Sequence, residues 1–339
     1  MKKTALLAIL ALSLLALGLG YMMEQQSSQS AELSSQALMN LAPEQLDIAE
    51  VDGVEIITAG NKVVAKVEKT LEVWRIPAKF DYFADTVQLA ELLQALSSAE
   101  VVEAKTKLEK YHARLGVEQI AADSSTATML RLHQGDRHLD IVVGNSDNKR
   151  SGQFVRFAES AQVYLIDRQL PMPSQDSDWL KSAIFSIDYD KVRSMTMDTG
   201  QNAPWQIERK VMVVSADETP KLPLSETESL APNFSFKGGE AELEYPGVLD
   251  GLVRNILGLS AIDVVLAEGK SLDVNVRSSL AYQVTNGKTE TATFELGSLE
   301  GKEGYFLQLN KGPYLLQVSE FDYKQISKHQ DEYLATNSN

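Results

Sequence analysis

Leu89, Leu92, Leu93 and Leu96 fall at i, i+3, i+4 and i+7, one face of a helix turned toward a core. Asp85 stands at the N-cap position with Gln88 three residues on, the grammar of a capping box. The pattern predicts a helix for "LAELLQALSSAEVVEA", Leu89 to Ala104. That stretch returns as "LVRNILGLSAIDVVLA", Leu252 to Ala267, with six of the sixteen aligned positions identical. Leu249, Leu252, Val253, Ile256 and Leu257 rebuild the apolar face.

Around these helices, short alternating runs bounded by turn residues predict strands. "VEIIT" (Val54–Thr58) and "KVVAKVEK" (Lys62–Lys69) flank Gly60-Asn61, and "VWRI" (Val73–Ile76) follows. "MLRLHQGDRHLDIVVG" (Met129–Gly144) predicts a hairpin turning at Gly135-Asp136. Its register sets Leu132 against Leu139 and Leu130 against Ile141 on one side, with Arg131 against Asp140 and His133 against His138 on the other. A second hairpin joins Gln153–Phe157 to Gln162–Asp167, and "DWLKSAI" (Asp178–Ile184) predicts a short helix.

The order then repeats. "VRSMTM" (Val192–Met197) and "PWQIER" (Pro204–Arg209) take the places of the early strands, with Trp205-Gln206-Ile207 echoing Trp74-Arg75-Ile76. A hairpin within Leu280–Leu296 turns at Asn286-Gly287. A two-residue turn pairs Val284 with Thr289; a three-residue loop including Lys288 sets Tyr282 against Ala292 and Leu280 against Phe294. Gly304–Leu309 and Tyr314–Val318 form the last hairpin, and Asp322–His329 a closing helical turn. The fold class expected is α+β: two tandem copies of a strand-rich unit (strands, one main helix, two hairpins, short helix), residues 46–186 and 187–335. An inserted loop, 211–246, breaks the symmetry of the second copy. Long loops on a repeated scaffold are places where binding accumulates.

The N-terminus adds a membrane element. Lys2 and Lys3 precede nineteen uncharged residues, Ala5 to Met23. At a rise of ~1.5 Å per residue, that run just spans a ~30 Å hydrocarbon core. An uncleaved transmembrane helix over residues 1–23 is the favoured reading. A cleaved signal peptide, with Gly18-Leu19-Gly20 as its processing site, is the alternative. Either way the two lysines stay in the cytoplasm and the body is sent outward. Residues 24–45 begin rich in Gln and Ser and suit a flexible linker.

Composition narrows the partners. The 339 residues carry a net charge of −15, which argues against nucleic acid, because phosphate binding needs clustered Lys and Arg. There is no cysteine, so disulfides, thiol nucleophiles and thiolate zinc sites are excluded.

The segments "VWRI…FDYFADTVQLAELLQALSSAEVV…YHARLGV", "IVVGN", "SGQFVRFAESAQVYLID" and "DWLKSAIFSIDYDKVRSM" resemble the bacterial family DUF4340. The resemblance covers nearly all of Val54–Met197 in order; Phe83 stands where the family often has proline. It implies an envelope protein with an N-terminal membrane segment, often associated with auxiliary proteins of gliding-motility-type ABC transporters. It implies no catalytic residues.

Candidate chemistry is sparse. His133 and His138, with Asp136 or Asp140, could hold a divalent metal, but no third ligand is fixed and solvent-facing histidines are the plainer reading. Glu240, Glu242 and Glu244 would line one face of a strand and bind Ca²⁺ or a cationic partner, or simply deter edge pairing. Asp188-Tyr189-Asp190 lacks the rest of a calcium loop. Trp74 and Trp205 are expected to anchor cores. No triad, P-loop or dinucleotide fingerprint is present. The expectation is therefore a protein that is not an enzyme and has no catalytic, cofactor or metal residues. It would sit single-pass in the inner membrane with its body in the periplasm, as an accessory or binding subunit of an ABC-type transport complex. The alternative is a periplasmic module that binds glycan or a small ligand in a cleft between the copies.

Overall fold

The computed structural model describes residues 36–335, apart from 148, 201–202, 211–232 and 240. The chain forms two compact units, divided between Trp179 and Leu180. Residues 1–23, expected to span a membrane, and residues 24–35 of the expected linker lie outside the described residues. The linker's last ten residues join the fold: Gln36–Ala37 is strand β1, and Leu38 is fully buried. Among the described residues no helix is long and apolar enough to cross a membrane.

In the first unit, β1 is followed by β2 (Gly53–Thr58), β3 (Lys62–Thr70), β4 (Val73–Ile76), β5 (Tyr82–Phe83) and helix α1 (Thr86–Ser97). Then come β6 (Glu100–Thr106), the short helix α2 (His112–Leu115), β7 (Thr128–Gln134), β8 (Arg137–Asp147), β9 (Gly152–Phe157) and β10 (Val163–Ile166). They form one antiparallel sheet ordered β1-β6-β10-β9-β8-β7-β2-β3-β4-β5. The second unit contains β11 (Val192–Asp198), β12 (Trp205–Arg209), β13 (Phe234–Phe236), α3 (Val248–Leu257) and β14 (Asp263–Leu266). It ends with β15 (Leu272–Gln283), β16 (Thr289–Leu299), β17 (Lys302–Leu309), β18 (Tyr314–Val318) and α4 (Glu320–Ile326). Its sheet runs β13-β12-β11-β15-β16-β17-β18-β14.

Local chemistry explains the starts and stops. The Asp85 carboxylate accepts from the backbone N–H of Val87 (2.9 Å) and Gln88 (3.2 Å), so α1 begins at the expected cap. Leu89, Leu92 and Leu96 are buried and Leu93 is partly so. Neither echo segment is helical throughout. α1 ends at Ser97 and α3 at Leu257, and the aligned "EVV" and "DVV" open strands β6 and β14. The β-branched valines fit a pleated, buried strand better than another helical turn. Val101 and Val264 are both buried.

The β7–β8 hairpin has the expected register: Leu130–Ile141, Arg131–Asp140, Leu132–Leu139 and His133–His138 are direct partners. The β15–β16 hairpin has neither expected register. Gln283 pairs with Thr289, and the loop is Thr285-Asn286-Gly287, closed by Val284 N–H donating to Lys288 O at 2.9 Å. Gly287 sits at φ 78°, the left-handed end of a three-residue turn, and Asn286 Oδ1 accepts from Lys288 N–H. Residues 180–184 are not helical; only Asp176–Trp179 makes a 3₁₀ turn. Asp178 accepts instead from the N–H groups of Ser174 and Gln175, which closes the turn upstream.

In strand order β12, which holds Trp205, is second from β15 just as β3 is second from β7, and β13 takes the place in its sheet that β4, with Trp74, takes in the first. β3 and β4 turn through Leu71-Glu72, whereas β12 and β13 are joined by 24 residues, 210–233. Phe234–Phe236, expected within the loop, is a strand paired with β12.

Trp205 is buried against Phe236 and Tyr333, with ring centroids 5.6 Å away in both cases. Trp74 is half-buried. The Tyr333 hydroxyl is buried and makes no hydrogen bond among the described residues. Tyr333→Phe, which removes a desolvated orphan group and keeps the ring, should raise unfolding free energy by up to about 1 kcal/mol. Tyr333→Ala should lower it by about 3 kcal/mol. Urea unfolding of the two variants checks both signs.

Candidate functional site

The outward face of the first sheet carries a charged ladder. Lys66, Glu55, Arg131 and Asp140 are direct neighbours on β3, β2, β7 and β8, alternating in sign. Arg131 grips Asp140 with two parallel bonds of 2.7 Å, and Lys66 Nζ lies 3.1 Å from Glu55 Oε1. The bond to Asp140 raises the Arg131 pKa above its ordinary value. His133 and His138 continue this face with ring centroids 6.3 Å apart, and His133 Nε2 lies 3.5 Å from Glu55.

The hairpin thus brings the two histidines together in the expected register. Both Asp140 oxygens are taken by Arg131, and Asp136 lies at the exposed turn. Among the described residues no three His, Asp or Glu side chains group around one point. Glu240 lies outside the described residues. Glu242 and Glu244 flank Leu243, whose isolated bridge to Leu334 is all the pairing there, so no strand aligns their carboxylates.

Asp188-Tyr189-Asp190 has a role of another kind. Asp250, a buried carboxylate on α3, accepts from Tyr189 Oη at 2.5 Å and from Asn233 N–H and Nδ2 at 3.0 and 2.9 Å. The Arg254 and Arg209 guanidiniums stack on the Tyr189 ring, 3.8 and 4.8 Å from its centroid. Lys210 N–H donates to Asn233 O at 2.7 Å. The cluster clamps the stem of the 210–233 connection to α3. An acidic residue on the apolar face of α3 was the available sign of it.

A second feature, at the β4–β5 edge, was not foreseen. Leu71, Val73, Phe80, Phe83 and Val87 are all exposed, Leu71 at 93% and Val87 at 66%. They lie within seventeen residues of sequence, and two of them, Leu71 and Phe80, stand on tight turns. Leu71 and Glu72 (φ 49° and 63°), then Phe80 and Asp81 (φ 58° and 56°), adopt left-handed backbone without glycine. Such strain persists where surrounding structure enforces it, commonly at functional surfaces. Arg75 props the Phe83 ring, its guanidinium carbon 4.5 Å from the centroid, and donates to Asp81 O at 2.9 Å. Large apolar side chains standing at turn positions were the signal available in the sequence.

Comparison with known proteins bears on this region. Residues 74–234 match DUF4340, a domain of unknown function, so the family resemblance holds over that part of the chain. No curated protein and no solved structure matches the chain. The matched stretch takes in β4, β5 and α1 and ends at the first residue of β13.

Proposed function

We propose that this DUF4340 protein is a non-enzymatic envelope protein, anchored single-pass in the inner membrane by residues 1–23 with its body in the periplasm. It serves as an accessory or binding subunit of an ABC-type transport complex. The observation that carries the reading is the apolar patch by the edge of the first sheet, where Leu71 and Phe80 are exposed on strained turns beside exposed Phe83 of β5 and Val87 at the start of α1. Exposed apolar groups gathered at one edge mark a surface that another protein covers. The two units are read as copies of one α+β unit. Equivalent strands follow in the same order in both sheets, from β6-β10-β9-β8-β7-β2-β3-β4 to β14-β18-β17-β16-β15-β11-β12-β13, which supports this.

The test is copurification from detergent. The wild-type protein should carry a permease or ATPase subunit with it, and Leu71→Asp with Phe83→Asp should release that subunit while the body stays folded. Retention of the subunit by the double variant would remove the edge from the interface. Absence of any transport subunit from the wild-type preparation would remove the assignment. A separate prediction concerns the turn. Leu71→Asn with Glu72→Gly supplies residues suited to left-handed backbone, so it should stabilise the protein by about 1 kcal/mol and still weaken partner capture. Thermal unfolding alongside the pull-down checks the two opposite signs.

A further inference from the structure

The two units treat the outward faces of their sheets differently. In the first, the connection from β6 to β7, residues 107–127, lies over that face. Ile57, Met129 and Val142 are cross-strand neighbours there, and Val117, Ile120 and Ala127 close over them. Contact is tight: a Cβ on Gly144 would come within 2.4 Å of Leu115 O. In the second unit the equivalent connection, β14 to β15, runs only from Ala267 to Ser271. Its small apolar cluster, Val265, Leu299, Phe306 and Leu315 with Ala267 and Leu272 beside it, covers β14, β18, β17 and only the Leu272–Leu299 end of β15 and β16. The outward face of β11, β15 and β16 bounds a cavity of about 330 Å³.

We propose that this cavity binds a neutral, polyhydroxylated ligand, a saccharide. Its floor is built in two rows. One is Asp198, Arg277, Glu295 and Gln308, direct partners across four strands. The other is Thr196, Ser279 and Thr293, direct partners across three. Lys311 lines it from the β17–β18 turn, where Asn310 and Lys311 hold left-handed backbone and Asn310 Oδ1 accepts from Thr293 N–H at 2.8 Å.

The charges do not call for an ion. Two cations and two carboxylates line the cavity, so their formal charges cancel, and Arg277, Glu295 and Asp198 are already engaged. Arg277 Nε lies 3.2 Å from Glu295, and Asp198 accepts from Gly200 N–H at 3.0 Å. The hydroxyls are another matter: among the described residues, those of Thr196 and Ser279 make no hydrogen bond, and the Gln308 amide N–H goes to Gly312 O, leaving its carbonyl free. Each hydroxyl both donates and accepts. One per strand, at a strand spacing of ~4.8 Å, they are set apart much as the hydroxyls across a sugar ring are. The volume is at the lower end of small-ligand pockets, roughly 300–1,000 Å³. This site belongs to the second unit and its argument does not depend on the docking edge of the first.

Calorimetric titration of the full chain, in a detergent without a sugar headgroup, tests the site. The probes are the β-1,4 trimer of N-acetylglucosamine, for wall-type glycan, and maltotriose, for free oligosaccharide. At least one should bind saturably, and which one identifies the source. Thr196→Val with Ser279→Ala and Thr293→Val preserves strand propensity and should weaken binding at least tenfold with an unchanged melting temperature. Should that variant misfold, Ser279→Ala alone should weaken binding about threefold. Failure of both sugars to bind at millimolar concentration overturns the proposal. So does binding indifferent to these substitutions, or displacement of the sugar by sulfate.

Discussion

Arg156→Ala should lower unfolding free energy by about 4 kcal/mol. Arg156 lies on β9 and is 1% exposed. Its Nε donates to Val117 O at 2.6 Å, and its Nη1 lies within bonding distance of the carbonyls of Ala158 (2.9 Å), Phe157 (3.3 Å) and Ser160 (3.4 Å). Burial pushes the guanidinium pKa down, with partial relief from Glu109 and Glu118, yet an arginine so placed stays charged. One side chain thus supplies donors to carbonyls from the 107–127 connection and from the β9–β10 turn. Removing it leaves those acceptors desolvated and opens a cavity. Arg156→Lys keeps the charge but cannot fork, so it should recover only part of the loss, leaving a deficit of about 2 kcal/mol. Guanidinium unfolding of both variants measures the ratio. A loss under about 1 kcal/mol for Arg156→Ala would mean that water takes over the carbonyls.

The second large effect is at Asp250. Asp250→Ala should cost about 3 kcal/mol at neutral pH, because a buried carboxylate that accepts three hydrogen bonds disappears and strands its donors. Burial pushes the Asp250 pKa up, but the hydrogen bonds from Tyr189, Asn233 and the neighbouring backbone together outweigh it and hold the carboxyl below the ordinary range. The sign follows: the lowered native pKa stabilises the folded state fully above the unfolded value of about 3.9 and loses that contribution as pH falls through the native pKa. The gap between wild type and Asp250→Ala should therefore shrink below about pH 4 and be unchanged between pH 6 and 8. Denaturant midpoints across that range check it. A gap independent of pH would place the cost in packing rather than in the charge.

How much of this was legible in the sequence varies by element for physical reasons. The β7–β8 register was readable because a two-residue turn leaves a period-2 pattern one way to keep Leu130, Leu132, Leu139 and Ile141 on the same side. The β15–β16 register was not, because Asn-Gly serves loops of several lengths and apolar alternation survives a two-residue slip. β6 and β14 were hidden for a similar reason: "SSAEVVEA" and "SAIDVVLA" carry an apolar pattern that short segments share between helix and strand. Buried polar groups were least legible. Nothing in "QFVRF" says that Arg156 turns inward, since its acceptors are backbone carbonyls, which every sequence has.

By itself, then, the sequence determined the α1 cap and apolar face, the register of the β7–β8 hairpin, the strand-rich α+β character, and the absence of thiol chemistry. These are local matters, settled by turn residues and side-chain periodicity within a few residues. Tertiary structure alone decided which strands stand side by side, so that Phe234–Phe236 pairs with β12. It also decided which sheet face is covered, through connections of unequal length. Adjacency and cover depend on contacts between residues far apart in sequence, and a one-dimensional pattern records which face is apolar without recording what comes to lie on it.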